Sequence, residues 1–178
     1  IAGGATLLQY RHKTASDALR DEQATALLQL CRRRNVPLII NDHVALCEKL
    51  DADGIHVGGT DASVAEVRAR VGAGKIVGAS CYGDLQLARD ASAAGASYVA
   101  FGGFYPSRVK KYAVTTPPDI VSRAISELAV PVCVIGGMTV ENSQPLVKLG
   151  AHMVAAISSV YAYEDARAAA TEFAKLFR

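Results

Sequence analysis

The chain has 178 residues, a length that suits one domain with one hydrophobic core. Its residues are 51% hydrophobic and 20% charged with a formal net charge of +2, which excludes a disordered chain and a nucleic-acid-binding polycation. The sequence contains no apolar run near the roughly 20 residues of a membrane span, and its opening residues lack a signal-peptide pattern. We therefore expect residues 1–178 to form a single domain of a soluble, cytoplasmic protein.

Cysteine usage agrees with a reducing compartment. Cys31, Cys47, Cys81 and Cys133 are far apart, form no CxxC pair, and lie in or beside apolar segments. Because a buried cysteine usually packs as a small hydrophobic residue, we predict four free thiols without a catalytic or metal-binding role.

Apolar, strand-forming runs alternate with helical segments along the chain. The predicted strands are residues 6–11, 37–42, 54–58, 75–80, 98–104, 131–137 and 153–160. The clearest predicted helices are residues 16–34, 84–94, 117–128, 140–149 and 164–178. Continuously apolar strands are typical of a parallel sheet that is covered on both faces.

Seven such units are one short of a (β/α)8 TIM barrel, and Gly3-Gly4 resembles the stop of a preceding helix. We predict an α/β fold of this class, with the first strand and most of the first helix missing from the given chain. The alternative is an open doubly wound sheet, whose GxGxxG fingerprint is absent from the sequence.

Polar residues follow the predicted strands, where a barrel builds its active site. After the first strand, Gln9, Arg11 and Lys13 would share one face because strand side chains alternate. A solvated strand end is the alternative interpretation of this segment.

The next two strands lead to Asn41-Asp42 and to Asp61. Two carboxylates at neighbouring strand ends are typical of a Mg²⁺ site, because Mg²⁺ binds one or two carboxylates together with substrate phosphates. Either aspartate could instead cap the helix that follows it.

Ser80 ends the fourth strand, and a glycine-flanked loop follows the fifth. This loop carries Ser107, Arg108, Lys110 and Lys111, a hydroxyl and three cations suited to wrapping a diphosphate. Its length favours an active-site cover over a basic surface loop.

The last two strands lead to Gly136-Gly137 and to Ile157-Ser158. Loops in this position of a barrel frequently bind a phosphate through backbone amides, and glycine permits the close approach. A phosphate pocket, a diphosphate loop and a metal site together predict a transferase with two phosphorylated ligands.

These motifs resemble the thiamine-phosphate synthase family, also called thiamine-phosphate pyrophosphorylase, over essentially the whole chain. The matching segments are Q-Y-R-x-K at 9–13, I-N-D at 40–42, A-D-G-I-H-V-G-x-x-D at 52–61, G-x-S at 78–80, F-G-x-x-x-P-S-x-x-K at 101–110, I-G-G at 135–137 and I-S-S at 157–159. Their order and spacing make the resemblance specific.

The resemblance implies a reaction and a set of site residues. The family joins 4-amino-2-methyl-5-(diphosphomethyl)pyrimidine to 4-methyl-5-(2-phosphoethyl)thiazole: diphosphate leaves, and the thiazole nitrogen captures the pyrimidine cation. The implied pyrimidine diphosphate ligands are Gln9, Arg11, Lys13, Asn41, Ser107 and Lys110, with Ser80 beside the pyrimidine ring. The implied catalytic residues are Lys110, Arg11 and Ser80, those for Mg²⁺ are Asp42 and Asp61, and those for the thiazole phosphate are Gly137, Ile157 and Ser158.

The sequence departs from the family pattern in two motifs. Val109 replaces a hydroxyl residue in the diphosphate loop, which could weaken binding about ten- to a hundredfold, and Gly59 replaces a glutamine. His56 lies within a strand and is predicted to be a packed, hydrogen-bonded core residue. Of the other histidines, His43 is the best placed to reach a substrate.

Three alternatives remain open. A thiazole tautomerase on the same barrel would use a general base such as His43 and no metal. A silent binding protein for thiamine precursors would show no turnover, and an aldolase would need a Schiff-base lysine, for which Lys75 begins its strand at the wrong end. The expected partners are small-molecule substrates, without nucleic acid or membrane, and the oligomeric state stays open with a homodimer as one option.

Overall fold

A computed structural model of the protein describes residues 1–58, 62–106 and 115–178. Within these ranges, seven strands form one sheet in chain order, and every pairing between neighbours is parallel. The strands are β1 (Leu8–Tyr10), β2 (Leu38–Asn41), β3 (Gly54–Gly58), β4 (Ile76–Tyr82), β5 (Tyr98–Phe101), β6 (Val132–Ile135) and β7 (Met153–Ala155). All seven predicted strands are therefore present, arranged as a parallel half-barrel.

Helices connect the strands and cover the sheet. They are α1 (Asp17–Arg33), α2 (Val44–Leu50), α3 (Val64–Val71), α4 (Leu85–Ala93), α5 (Asp119–Glu127), α6 (Val140–Lys148), α7 (Ser158–Tyr161) and α8 (Ala166–Lys175). Side chains cap several of their first turns: Ser63 forms a capping box with Glu66, and Thr139 forms one with Asn142. Local sequence thus fixes where these helices begin.

The sequential strand order excludes the doubly wound alternative, because such a sheet reverses its strand order at a switch point. Burial agrees with the prediction for parallel strands, since Leu38, Ile39 and Ile40 are all fully buried in β2. Both faces of this strand are therefore covered.

Four predicted strands, at 6–11, 98–104, 131–137 and 153–160, are three or more residues too long. The strand predicted at 153–160 ends at Ala155, and Ser158 begins the short helix α7, where backbone N–H groups of residues 160–162 bond back to Ile157 and Ser158. The strand predicted at 6–11 ends at Tyr10, and a turn forms in which Ala15 N–H donates to His12 O. The alternation assumed for Arg11 and Lys13 therefore does not hold.

The four cysteines are free and buried, as predicted. Burial raises the pKa of the Cys47 thiol to about 11 and the pKa values of Cys81 and Cys133 to about 12, from an ordinary value of 9.0. These thiols are therefore protonated at neutral pH. In the described residues, no helix is long and apolar enough to cross a membrane.

We expect the free energy of unfolding to fall as pH rises above about 9. The unfolded chain then gains thiolates that the folded chain suppresses, so the loss begins near the ordinary thiol pKa of 9.0 and continues to the folded values of about 11 to 12. Urea denaturation at pH 8 and at pH 10.5 measures it. Cys133→Ala should show a smaller decrease than the wild type, and an equal decrease would contradict the assignment.

Arg68 forms hydrogen bonds at the end of the sheet where the strands begin. Its guanidinium donates to Gly72 O at 2.8 Å, Lys75 O at 2.7 Å, Gly95 O at 2.8 Å and Ser97 Oγ at 2.9 Å. Ser97 Oγ in turn accepts from Val77 N–H at 3.0 Å. One side chain thereby links α3, the turn before β4 and the turn before β5.

Arg68→Met should lower the free energy of unfolding by about 1–2 kcal/mol, because two partly buried acceptors, Lys75 O and Ser97 Oγ, lose a charged donor. Arg70→Met is the matched control, since Arg70 is exposed on the same helix and forms an ion pair with Glu48. Chemical denaturation of both variants compares them. Equal effects would show that the acceptors of Arg68 are satisfied by solvent.

Candidate active site

A cavity of about 280 Å³ opens at the carboxyl ends of the later strands. Its lining comes from the ends of β4 to β7 and the loops after them: Ser80, Tyr82, Gly83, Ala100, Gly102, Gly103, Tyr105, Thr115, Ile135, Gly136, Gly137, Met138, Ala155, Ala156, Ile157 and Ser158. Four predicted site residues, Ser80, Gly137, Ile157 and Ser158, thus meet in one wall. Their chemical roles stay predictions.

The glycine side of this cavity is held by side-chain hydrogen bonds to backbone carbonyls. Gly136 and Gly137 have φ values of 103° and 65°, a backbone conformation that favours glycine. Asn142 Nδ2 donates to Gly137 O at 2.9 Å, and Ser159 Oγ donates to Met138 O at 2.5 Å. These two bonds tie the loop after β6 to α6 and α7, beside the cavity that Gly136 and Gly137 line.

Hydrogen bonds join the beginning and the end of the loop that follows β5. Thr115 N–H and Thr116 N–H donate to Gly103 O at 3.1 Å and 3.3 Å, and Thr116 Oγ1 donates to Gly102 O at 2.5 Å. Both ends of the predicted diphosphate loop are thus held beside the cavity. The predicted ligands Ser107 and Lys110, with Arg108, Val109 and Lys111, lie outside the described residues.

The second group of predicted residues lies at the ends of β1 and β2. Lys13 Nζ is 2.9 Å from Asp42 Oδ2, with the Lys13 side chain about half exposed and that of Asp42 largely buried. Asn41 is buried at the end of β2, and Gln9 lies in β1 with Arg11 immediately after it. This group forms no part of the cavity wall described above, and its predicted partner Asp61 lies outside the described residues.

Asp42 is held in an unusual backbone conformation. Its φ is 64°, which is uncommon for a residue other than glycine, and its N–H donates to His56 O at 2.9 Å. The helix-cap alternative for Asp42 is wrong, because helix α2 has His43 at its N-cap and no side-chain cap bond. The cap of α3 is Ser63, so that role is also filled without Asp61.

The donors at the end of β2 fit a hard cation in type. Asp42 supplies a carboxylate and Asn41 an amide, and Mg²⁺ commonly takes one or two carboxylates together with phosphate oxygens. Among the described residues, no group of three or more His, Cys, Asp or Glu side chains is placed to hold a metal by itself. Asp42 and Asn41 are two oxygen donors, and Mg²⁺ would need further oxygen ligands to complete its octahedral coordination.

His56 is a packed, hydrogen-bonded core residue, as predicted, and it belongs to a polar chain that sequence reasoning missed. His56 Nε2 lies 2.8 Å from Ser80 Oγ, and His56 Nδ1 lies 2.8 Å from the Tyr98 hydroxyl. Polar residues within β3, β4 and β5 were the available signal, but Tyr98 was interpreted as part of an apolar strand.

Lys75 confirms the argument against an aldolase. It precedes β4, at the opposite end of the sheet from the cavity, and its ammonium pairs with Asp51 at 2.5 Å. A Schiff base formed there would be remote from the cavity.

The fold and the site define an enzyme-like parallel α/β half-barrel with its pocket at the carboxyl ends of the strands. The family model described as thiamine monophosphate synthase matches residues 1–160. Similar curated proteins include the thiamine-phosphate synthases of Janthinobacterium sp. (strain Marseille), 67% identical over 99% of this chain and 86% of that protein, and of Thiobacillus denitrificans, 47% identical over 99% and 84%. The chain therefore belongs to the thiamine-phosphate synthase family, whose members are transferases.

Solved structures agree with this assignment. The thiamine phosphate pyrophosphorylase of Pyrococcus furiosus is similar with a TM-score of 0.87 and 30% identity, over 98% of this chain and 84% of that chain. The N-(5'-phosphoribosyl)anthranilate isomerase of Pyrococcus furiosus, at 16% identity, has a TM-score of 0.70 over 98% of this chain and 89% of that chain, and shows the likeness of the fold alone.

Gly78 makes room for the polar chain. A Cβ added at Gly78 would overlap the Tyr98 ring and lie 2.5 Å from His56 Nδ1. Gly78→Ala should therefore destabilise the fold by about 1–3 kcal/mol through overpacking. Gly74→Ala is the control, because a Cβ at Gly74 meets no atom within 4 Å, and its stability should stay within about 0.5 kcal/mol of wild type. Thermal denaturation compares the two, and a neutral Gly78→Ala would contradict the close packing.

Proposed function

We propose that this protein is a thiamine-phosphate synthase that condenses 4-amino-2-methyl-5-(diphosphomethyl)pyrimidine with 4-methyl-5-(2-phosphoethyl)thiazole, releasing diphosphate. The observation that carries the proposal is the pairing of Lys13 with Asp42 at 2.9 Å near the ends of β1 and β2, within a chain of this family. The Lys13 ammonium could contact a diphosphate directly at this place, and the Asp42 carboxylate could contact it through a bound Mg²⁺. The glycine-lined cavity at β4 to β7 supplies a separate place for the second phosphorylated substrate.

The pyrimidine diphosphate would bind across β1, β2 and the loop after β5. Arg11, Lys13 and Lys110 would contact the diphosphate oxygens, while Gln9 and Asn41 would add neutral hydrogen bonds. Asp42 and Asp61 would hold Mg²⁺, which when bound would neutralise part of the diphosphate charge. Ser107 would extend the set of donors from the loop.

The thiazole phosphate would occupy the cavity. Gly137, Ile157 and Ser158 would place backbone N–H groups around its phosphate, and the apolar side chains of Ile135 and Met138 would contact the ring. This position keeps the thiazole nitrogen close to Ser80, beside which the pyrimidine would lie.

The proposed reaction needs positioning and charge stabilisation rather than a protein nucleophile. As the C–O bond to diphosphate breaks, Arg11 and Lys110 would stabilise the charge that develops on the leaving group. The pyrimidine CH₂ cation would then be captured by the aligned thiazole nitrogen. The buried, protonated cysteines fit this account, because a nucleophilic cysteine needs a lowered pKa.

We also infer that the seven parallel strands belong to a closed (β/α)8 barrel. The sequential strand order and the similarity to the Pyrococcus furiosus enzyme support this architecture.

The tautomerase alternative is less well supported, because it would leave the Lys13–Asp42 pair without a diphosphate to bind.

Diphosphate release from the pyrimidine diphosphate should depend on both thiazole phosphate and Mg²⁺. Asp42→Ala should lower kcat/KM by about a hundredfold or more, through loss of charge stabilisation at the leaving group. A coupled diphosphate assay measures both effects. Asp90→Asn, an exposed change on α4, is the control and should leave the rate unchanged. If wild-type protein binds thiazole phosphate but releases no diphosphate, the synthase proposal fails.

A further inference from the structure

A chain of hydrogen-bonding side chains joins β5, β3 and β4 beside the cavity. It runs from the Tyr98 hydroxyl through the two nitrogens of His56, at 2.8 Å each, and ends at Ser80 Oγ. His56 and Tyr98 are 7% and 5% exposed, so water has little access to their contacts. The cavity wall begins at the Ser80 end of this chain.

We propose that His56 and Tyr98 are positioning residues that fix the Ser80 hydroxyl as a hydrogen-bond donor to an acceptor atom of the bound substrate. This inference rests on the proposed function, because it takes the pyrimidine ring beside Ser80 as that substrate. The acceptor would be a ring nitrogen of the pyrimidine, since a ring nitrogen with a lone pair in the ring plane accepts one such bond.

The order of donors follows from the chemistry of the groups. A phenol is a stronger hydrogen-bond donor and a weaker acceptor than an aliphatic hydroxyl, so in the proposed order Tyr98 donates its proton to His56 Nδ1. With Nδ1 as the acceptor and the ring uncharged in this proposal, the imidazole proton stands on Nε2 and is donated to Ser80 Oγ. The Ser80 oxygen then holds an incoming bond, so its own hydrogen points elsewhere, toward the cavity.

Two features keep this order in place. Burial raises the pKa of the Tyr98 hydroxyl above its ordinary value, so the hydroxyl keeps its proton at neutral pH. Glycines also leave room for these side chains to approach one another. A Cβ at Gly78 would overlap Tyr98, and a Cβ at Gly58 would lie 2.9 Å from Ser80 Oγ. In the pairing of β3 with β4, His56 lies opposite Gly78 and Ser80 lies opposite Gly58.

Two substitutions of His56 separate its two contacts. In His56→Gln the amide nitrogen falls near the place of Nε2, which retains a donor to Ser80 and loses the contact with Tyr98. In His56→Asn the amide falls near the place of Nδ1, which retains the contact with Tyr98 and loses the donor to Ser80. The two variants are similar in polarity and in lost packing, so each controls for the other.

The kinetic test measures kcat and KM for the pyrimidine diphosphate at saturating thiazole phosphate. His56→Asn should raise KM about tenfold, the equivalent of one lost hydrogen bond, while kcat stays within about threefold. His56→Gln should raise KM by less than about threefold. Combining His56→Asn with Ser80→Ala should add nothing to the KM of Ser80→Ala alone. Equal KM values for the two His56 variants, or additive effects with Ser80→Ala, would overturn the proposal.

A spectroscopic test covers the case in which the His56 variants fail to fold. In ¹⁵N NMR of the ligand-free protein, the His56 ring should carry its proton on Nε2 alone. Its signal is identified as the one, among those of the four histidines, that changes in Tyr98→Phe. Tyr98→Phe keeps the ring and should populate both tautomers. A wild-type proton on Nδ1 would overturn the proposal whether or not the protein turns over. Absence of diphosphate release with the Nε2 tautomer present would instead count against the proposed function.

Discussion

Parallel pairing of seven consecutive strands is the constraint on which the rest of the structure depends. Because all strands run the same way, their carboxyl ends lie along one edge, and the loops that follow them are neighbours. Asp42 after β2, Ser80 in β4 and Gly137 after β6 reach this edge from distant parts of the sequence. The opposite edge carries Arg68 and Lys75, whose contacts are with turns and an exposed carboxylate.

The site combines rigid backbone with charged groups near solvent. On the cavity side, Asn142 and Ser159 bind the carbonyls of Gly137 and Met138, so the backbone there has little freedom. On the other side, Lys13 pairs with Asp42 while remaining about half exposed, so an anionic ligand can reach the Lys13 ammonium from solvent. Such a division suits an enzyme that holds one substrate in a formed pocket and the other through charge.

Sequence reasoning identified the strands well because their apolar runs are buried on both faces, a pattern that burial in β2 confirms. It failed at strand ends. The apolar run at 153–160 continues past the strand into α7, and the alternation at 9–13 was broken by a turn after Tyr10. Periodicity reports which residues are buried, but a hydrogen-bonded turn can begin in the middle of a buried or polar run.

The sequence by itself determined the fold class, the family and the identity of the residues at the strand ends, because these follow from hydrophobic pattern and from local motifs. Only the tertiary structure decided which of those residues meet: Ser80 with Gly137 and Ile157 in one cavity, and Lys13 with Asp42 in an ion pair. It also decided that Tyr98, His56 and Ser80 form one polar chain. The physical reason is that strand register and the close approach allowed by Gly78 bring these side chains within hydrogen-bonding distance. Hydrophobic pattern and local motifs predict neither the register nor the distance between side chains on different strands.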